Sequence, residues 1–261
     1  RTNYFQNIPT SALDQVLFLE SDRMGHLLGA IDQDRLDEQR NVVKNEKREN
    51  ENQPYGMQWE YVVKALYPKG HPYSWTVIGE MEDINAATLE DVQQWFTSYY
   101  GAANAVLAIA GDVDPDEIYQ KVVKYFGDIP SGPTIERQEV NIPHKVYDSR
   151  QVYEDRVNET RVLFVWNTPE FGSREDLHFD LISSILSSGK NSRLYKKFVY
   201  EDQSASRAAA FQSSSEIASR FVAYLNVIQG QDSGKLEKEL WDEITKFIEA
   251  IMVMRLITKP N

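Results

Sequence analysis

The stretch Asn104-Ala105-Val106-Leu107-Ala108-Ile109-Ala110-Gly111-Asp112 decides how the rest of the chain is read. A short apolar run closed by a polar, glycine-bearing turn has the pattern of a buried strand. Asp114-Pro115 follows, an N-cap residue with proline at the first helical position, and Ile118, Val122, Val123 and Phe126 continue as a helix. The same order recurs downstream, with 221–228 as a strand, 230–234 as a polar turn and 235–251 as a long amphipathic helix. A pair of helices precedes each copy: 11–28 with 34–52, and 174–187 with 193–200. The echo is of element types and not of residue identity. It predicts an α+β protein of two related units, each an antiparallel sheet covered by helices.

Between the units, 131–148 holds Gly132, Pro133 and Pro143, few apolar residues and no period, and reads as a linker. The first unit is then 1–130 and the second 149–261. Within the first, Thr10 or Ser11 is placed to cap a helix whose stripe is Leu13, Val16, Leu17, Met24, Leu27 and Leu28. Asp34 is placed to cap the next, which Pro54 and Gly56 end. An apolar stretch, 59–66, leads into the turn-rich loop Tyr67-Pro-Lys-Gly-His-Pro-Tyr73. Thr88-x-x-Asp91 opens a helix through Val92, Trp95, Phe96 and Tyr99. In the second unit, 160–166 and 205–213 read as strands, and the 174–187 helix turns Leu177, Leu181, Ile182, Ile185 and Leu186 inward.

Composition bounds the chemistry. The 261 residues carry 28 Lys+Arg against 40 Asp+Glu, a formal net charge of −12, and no cysteine. Disulfides, iron–sulfur clusters, thiolate zinc sites and a Cys nucleophile are excluded. The acidity argues against nucleic acid, whose phosphates need clustered cations. His26, His71, His144 and His178 are too scattered to form a His-paired metal site. No run of about 18 apolar residues is long enough to span a membrane, and no secretion signal stands at the start. The chain begins with Arg1 and not Met, so it reads as a fragment or a processed product.

One constellation carries chemistry. In Gln39-Arg-Asn-Val-Val-Lys-Asn-Glu46, the residues Gln39, Val42, Val43 and Glu46 share a helical face. If the valines turn inward, so does Glu46, and a carboxylate on a buried face must be paired or metal-bound. The alternative puts Glu46 at the stripe's edge, paired with Arg40, Lys47 or Arg48 or reaching water.

A larger set of motifs bears on the choice. Asp22-Arg-Met-Gly25, the 39–46 segment, Gln53-Pro-Tyr-Gly56, His71-Pro-Tyr73, Gly79, Tyr100-Gly101, Asn104, Gly111-Asp112-Val113, Tyr125-Phe-Gly-Asp-Ile-Pro130 and Gly189-Lys-Asn-Ser-Arg-Leu-Tyr195 occur in one order along nearly the whole chain. The ordered set resembles the pitrilysin/insulinase family of zinc peptidases. In that family a His-x-x-Glu-His helix gives two zinc ligands and the general base, and a distant Glu is the third ligand. The resemblance assigns that third ligand to Glu46, and it implies Zn²⁺ with one open coordination position for an activated water. Gln39 stands where many relatives have Glu, so any influence on the ligand there comes without charge.

This chain contains no His-x-x-Glu-His. The resemblance places that motif before the segment that begins at Arg1, so no catalytic residue is assigned within the chain. It implies a truncated first unit, a second unit also cut short, and an isolated chain that is inactive and holds zinc poorly. It implies peptide substrates, a second half or partner subunit of the same fold, and an exported, periplasmic setting. The rival reading is a non-catalytic scaffold or partner subunit of that fold, and a third is a peptide-binding module with an exposed strand edge. His71 reads as a structural or solvated loop residue, His178 as partly exposed on a helix, and His26 as a cation at a helix end. The serines 183, 184, 187 and 188 have no His/Asp partner in sequence, and Gly189-x-x-Ser-Arg reads as a plain cap. The five tryptophans read mostly as core or core-edge aromatics.

Overall fold

The computed structural model describes residues 2–136, 140 and 148–257, the last seven of these for the backbone alone. They divide into two units, one of residues 1–48 and 78–138, the other of residues 49–77 and 139–261. The segment 49–77, read from sequence as part of the first unit, packs with the second. Residues 131–136 of the expected linker have no regular secondary structure, and most of its remainder, with His144, lies outside the described residues.

The first unit is helical. A 3₁₀ turn at Thr10–Ala12 leads into α1 (Leu13–Gly25). Neither Thr10 nor Ser11 caps it: the N-cap position is Ala12, which has no side-chain cap, and the Ala12 N–H donates to the Pro9 carbonyl. Next come α2 (Gln33–Glu51), α4 (Met81–Ala86), α5 (Leu89–Tyr99) and α6 (Pro115–Phe126), with α3 (Gln58–Leu66) belonging to the other unit. The cap of α2 is Asp32 and not Asp34: Asp32 Oδ1 accepts from the Arg35 N–H at 2.9 Å. Thr88 and Asp91 form a reciprocal capping box on α5, and Asp114 accepts from the amides of Asp116 and Glu117 at the start of α6. Asp14 of α1 is tied to Lys121 and to the Tyr125 hydroxyl of α6.

The expected strand 104–110 is a correction. Residues 105–110 have no regular secondary structure, and Val106 is 97 % exposed. A strand exists only through pairing, and no described segment pairs with this one. One side of it still meets α6: Leu107 and Ile109 line a groove of about 310 Å³ with Val113, Pro115, Ile118, Tyr119 and Val122.

The antiparallel sheet is in the second unit. β1 (Thr160–Thr168), β2 (Ala205–Ser213) and β3 (Ser219–Val227) pair in the order β1-β3-β2. The central strand is covered on both faces, and this explains its near-continuous apolar run. Phe221, Ala223, Leu225 and Val227 pack with Leu186 of α7 (Arg174–Ser187), with Leu194 and Phe198, and with Leu236, Leu240, Ile244 and Phe247 of α8 (Ser233–Ile257). Phe198 lies in a π-helical turn, Tyr195–Glu201. A second cluster joins Val63, Leu66, Tyr67 and Ala218 with Val165 of β1.

The inward face of α7 differs from the expected one. Leu177, Leu181 and Ile185 are 53–63 % exposed, whereas Asp176 and Leu186 are buried and Phe179 and Ile182 pack on the core. The tryptophans also stand further out than expected, with Trp59, Trp75, Trp95 and Trp241 each more than a third exposed. No helix among the described residues is long and apolar enough to cross a membrane.

Candidate functional site

Helix α2 carries the candidate ligand. Its partly or fully buried residues, Leu36, Arg40, Val43, Lys44, Lys47 and Glu51, recur at the spacing of one helical face. This is a correction to the face expected from sequence. Gln39 and Glu46 are exposed, Val42 is 52 % exposed, and only Val43 of the predicted set is partly covered. The reason is polar. Arg40 Nη1 donates to the carbonyls of Ile84 at 2.6 Å and Asn85 at 3.0 Å, and Nη2 donates to Ala87 O at 2.8 Å and Asp37 Oδ1 at 3.4 Å. The guanidinium therefore satisfies carbonyls at the C-terminal end of α4, and its stem occupies the stripe that an apolar side chain would take.

Glu46 thus stands on an open face, with no hydrogen bond or ion pair to any described residue. The partners considered from sequence are engaged elsewhere: Arg48 bonds Asn45 Oδ1, Arg40 holds α4, and Lys47 is buried on the covered face. Gln39 lies seven residues before it on that face, about 10 Å along the axis by helical rise. A free, accessible carboxylate on a rigid helix suits one metal-ligand position. Among the described residues no group of three His, Cys, Asp or Glu could hold a metal ion, so the chain offers one ligand and not a complete site.

The remaining candidates resolve as structural. His71 is buried, stacks on Tyr67 with ring centroids 4.7 Å apart, and accepts the Tyr73 N–H on Nδ1 at 3.0 Å. His26 is the exposed C-cap of α1, and His178 is exposed on α7. Ser183 and Ser187 donate to backbone carbonyls, and Ser192 closes the Gly189 turn by donating to Gly189 O.

Asp176 is the polar residue that sequence reasoning missed. It is 1 % exposed, and its carboxylate accepts from Gln212 Nε2 at 2.8 Å, Ser214 Oγ at 2.7 Å and the Gly172 N–H at 3.2 Å. Burial pushes its acidity one way, but these donors together hold the carboxyl below its ordinary range. The available signal was Ser173-x-x-Asp176, a capping pattern: Ser173 Oγ accepts the Asp176 N–H at 3.1 Å.

With this geometry in view, the relatives are informative. The chain is 28 % identical over 257 residues to the zinc protease PqqE of Helicobacter pylori, covering 96 % of this chain and 56 % of that protein. The crystal structure of a protease from Helicobacter pylori superposes with a TM-score of 0.77 at 27 % identity, covering 92 % of this chain and 58 % of that one. Pitrilysin, at 14 % identity and a TM-score of 0.63 over 84 % of this chain and 24 % of its own, shares the fold. The chain therefore spans little more than half the length of the Helicobacter relatives. Residues 86–252, well over half of the sequence, match the model described as the Peptidase M16 inactive domain. The chain belongs to the M16 peptidase family.

Proposed function

We propose that this chain is part of an M16 zinc endopeptidase and contributes Glu46 as one of three ligands to the metal. The observation that carries this reading is the free Glu46 carboxylate, unpaired among the described residues on the open face of α2. The two remaining ligands belong to a His-x-x-Glu-His helix, which the chain does not contain. Zn²⁺ held by those three ligands would acidify a bound water and polarise the scissile carbonyl. Within this chain, α2 presents the carboxylate and Gln39 offers a neutral amide along the same face. The open side of 105–110 and its groove against α6 are where the rest of the zinc-bearing domain packs. In this reading 1–130 and 149–261 are two related repeats in sequence, although 49–77 packs with the second.

The substrates are extended peptides, which a free sheet edge can bind as an added strand. The chain works with a second half or partner subunit of the same fold, and the protein is exported. The isolated chain is inactive. A second reading, a non-catalytic scaffold or partner subunit, is favoured by one observation: the model matched over 86–252 is that of the inactive domain.

Glu46→Gln in the full-length protein decides between them. The peptidase reading expects loss of stoichiometric zinc and of peptide hydrolysis. Unchanged zinc and hydrolysis remove Glu46 from the site, and a wild-type protein with neither supports the scaffold.

A further inference from the structure

We propose that Arg40 is the positioning residue for Glu46: by clamping the end of α4 it sets the rotation of α2 and so aims the carboxylate at the metal. The inference rests on the reading of Glu46 as a ligand.

Polar side chains on its covered face, Arg40 and the buried Lys47, orient α2. Its inward stripe has two apolar members, Leu36 and Val43, both only partly buried, so apolar packing gives weak rotational preference. The directional contact from α2 to α4 is the Arg40 guanidinium, whose side chain is 14 % exposed. It donates to three carbonyls, Ile84, Asn85 and Ala87, and to the Asp37 carboxylate one turn back on α2 itself. Those carbonyls cluster at the C-terminal end of α4, where the helix dipole also favours a cation. A planar fork with several donors locks orientation in a way that a single ammonium does not.

Arg40 and Glu46 are six residues apart, about 9 Å along the axis and about 120° around it. The clamp therefore lies on one side of the helix and the ligand on another, and the clamp acts through rotation and not through contact. A carboxylate oxygen about 6 Å from the axis moves about 2 Å for a turn of about 20°. Metal–ligand distances tolerate only about 0.2 Å, so such an error is costly to binding.

The test uses the full-length protein with Arg40→Gln, Arg40→Lys and Glu46→Gln. Three quantities are measured: zinc affinity by chelator competition, the visible spectrum of the Co²⁺-substituted protein, and melting of the metal-free protein. Arg40→Gln is expected to weaken zinc binding by about 10- to 100-fold and to change the Co²⁺ bands, with Arg40→Lys between it and wild type. If Arg40→Gln does not fold, Arg40→Lys decides. The proposal is overturned if the Arg40 variants lower only the metal-free melting temperature while Glu46→Gln loses zinc, because Arg40 is then structural alone. If Glu46→Gln keeps zinc, the ligand reading fails and the Arg40 proposal falls with it.

Discussion

The Asp176 carboxylate accepts a hydrogen bond from Gln212 Nε2 at 2.8 Å, across 36 residues of sequence. The bond joins the first turn of α7 to β2, and the same amide reaches Thr168 Oγ1 on β1 at 2.8 Å. Two strands and a helix are thereby pinned around one buried charge.

That charge makes the second unit acid-sensitive. Asp176 has its folded pKa held below the ordinary value, so it binds fewer protons folded than unfolded at mildly acidic pH. Its contribution is present above the unfolded pKa, about 3.9, and is lost as pH falls through the lower folded value. Asp176→Asn is expected to cost about 2 kcal/mol at pH 7, because the new amide turns a donor toward existing donors. Urea denaturation at pH 7 and near pH 3 should show this gap closing with acidity; a gap independent of pH contradicts the assignment.

The core of the second unit should be costly to hollow. Phe198 and Leu225 are both fully buried in one cluster. Phe198→Ala is expected to destabilise by about 3–5 kcal/mol and Leu225→Ala by about 2–5 kcal/mol. Equilibrium unfolding followed by tryptophan fluorescence reads both.

Helix α5 depends on its cap. Thr88→Ala removes the acceptor of the Asp91 N–H and half of the box, and about 1 kcal/mol of stability is expected to go with it. Amide exchange along residues 89–92 should quicken, with the second unit unaffected.

Val106 separates the isolated chain from the full-length protein. At 97 % exposure, Val106→Ser should change the stability of the chain by no more than about 0.5 kcal/mol. If further polypeptide covers 105–110, the same substitution should cost the full-length protein about 1–3 kcal/mol. Equal effects in both would remove that part of the proposed packing.

Zinc gives the last comparison. The isolated chain is expected to retain no stoichiometric zinc after dialysis, since one carboxylate does not hold the ion. Metal analysis of the dialysed chain is the measurement, and one bound zinc per chain would overturn the incomplete-site reading.

Much of the local structure was legible in the sequence. Thr88-x-x-Asp91 and Asp114-Pro115 start α5 and α6 where their cap chemistry demands, because those hydrogen bonds close within three residues. The spans of α7 and β2 were equally readable from their bounding turns. At the candidate site, the helix bearing Glu46 was legible and its inward face was not. Val42 and Val43 marked an apolar pair, but Arg40 and Lys47 took the covered positions, with Arg40 bonded to carbonyls more than 40 residues away. On α7, Asp176 displaced the leucine face for a similar reason, a set of distant donors.

The sequence by itself determined most of the longer helices, though not α3 or α4, where the strands of the second unit lie, and the ordered motifs that identify the family. These depend on contacts closed within a turn and on residue order, both written locally. Only the tertiary structure decided which face of α2 is covered, that 49–77 joins the second unit, and that 105–110 lies open where a strand was expected. A face or a strand is defined by what packs or pairs against it, and that partner is remote in the chain.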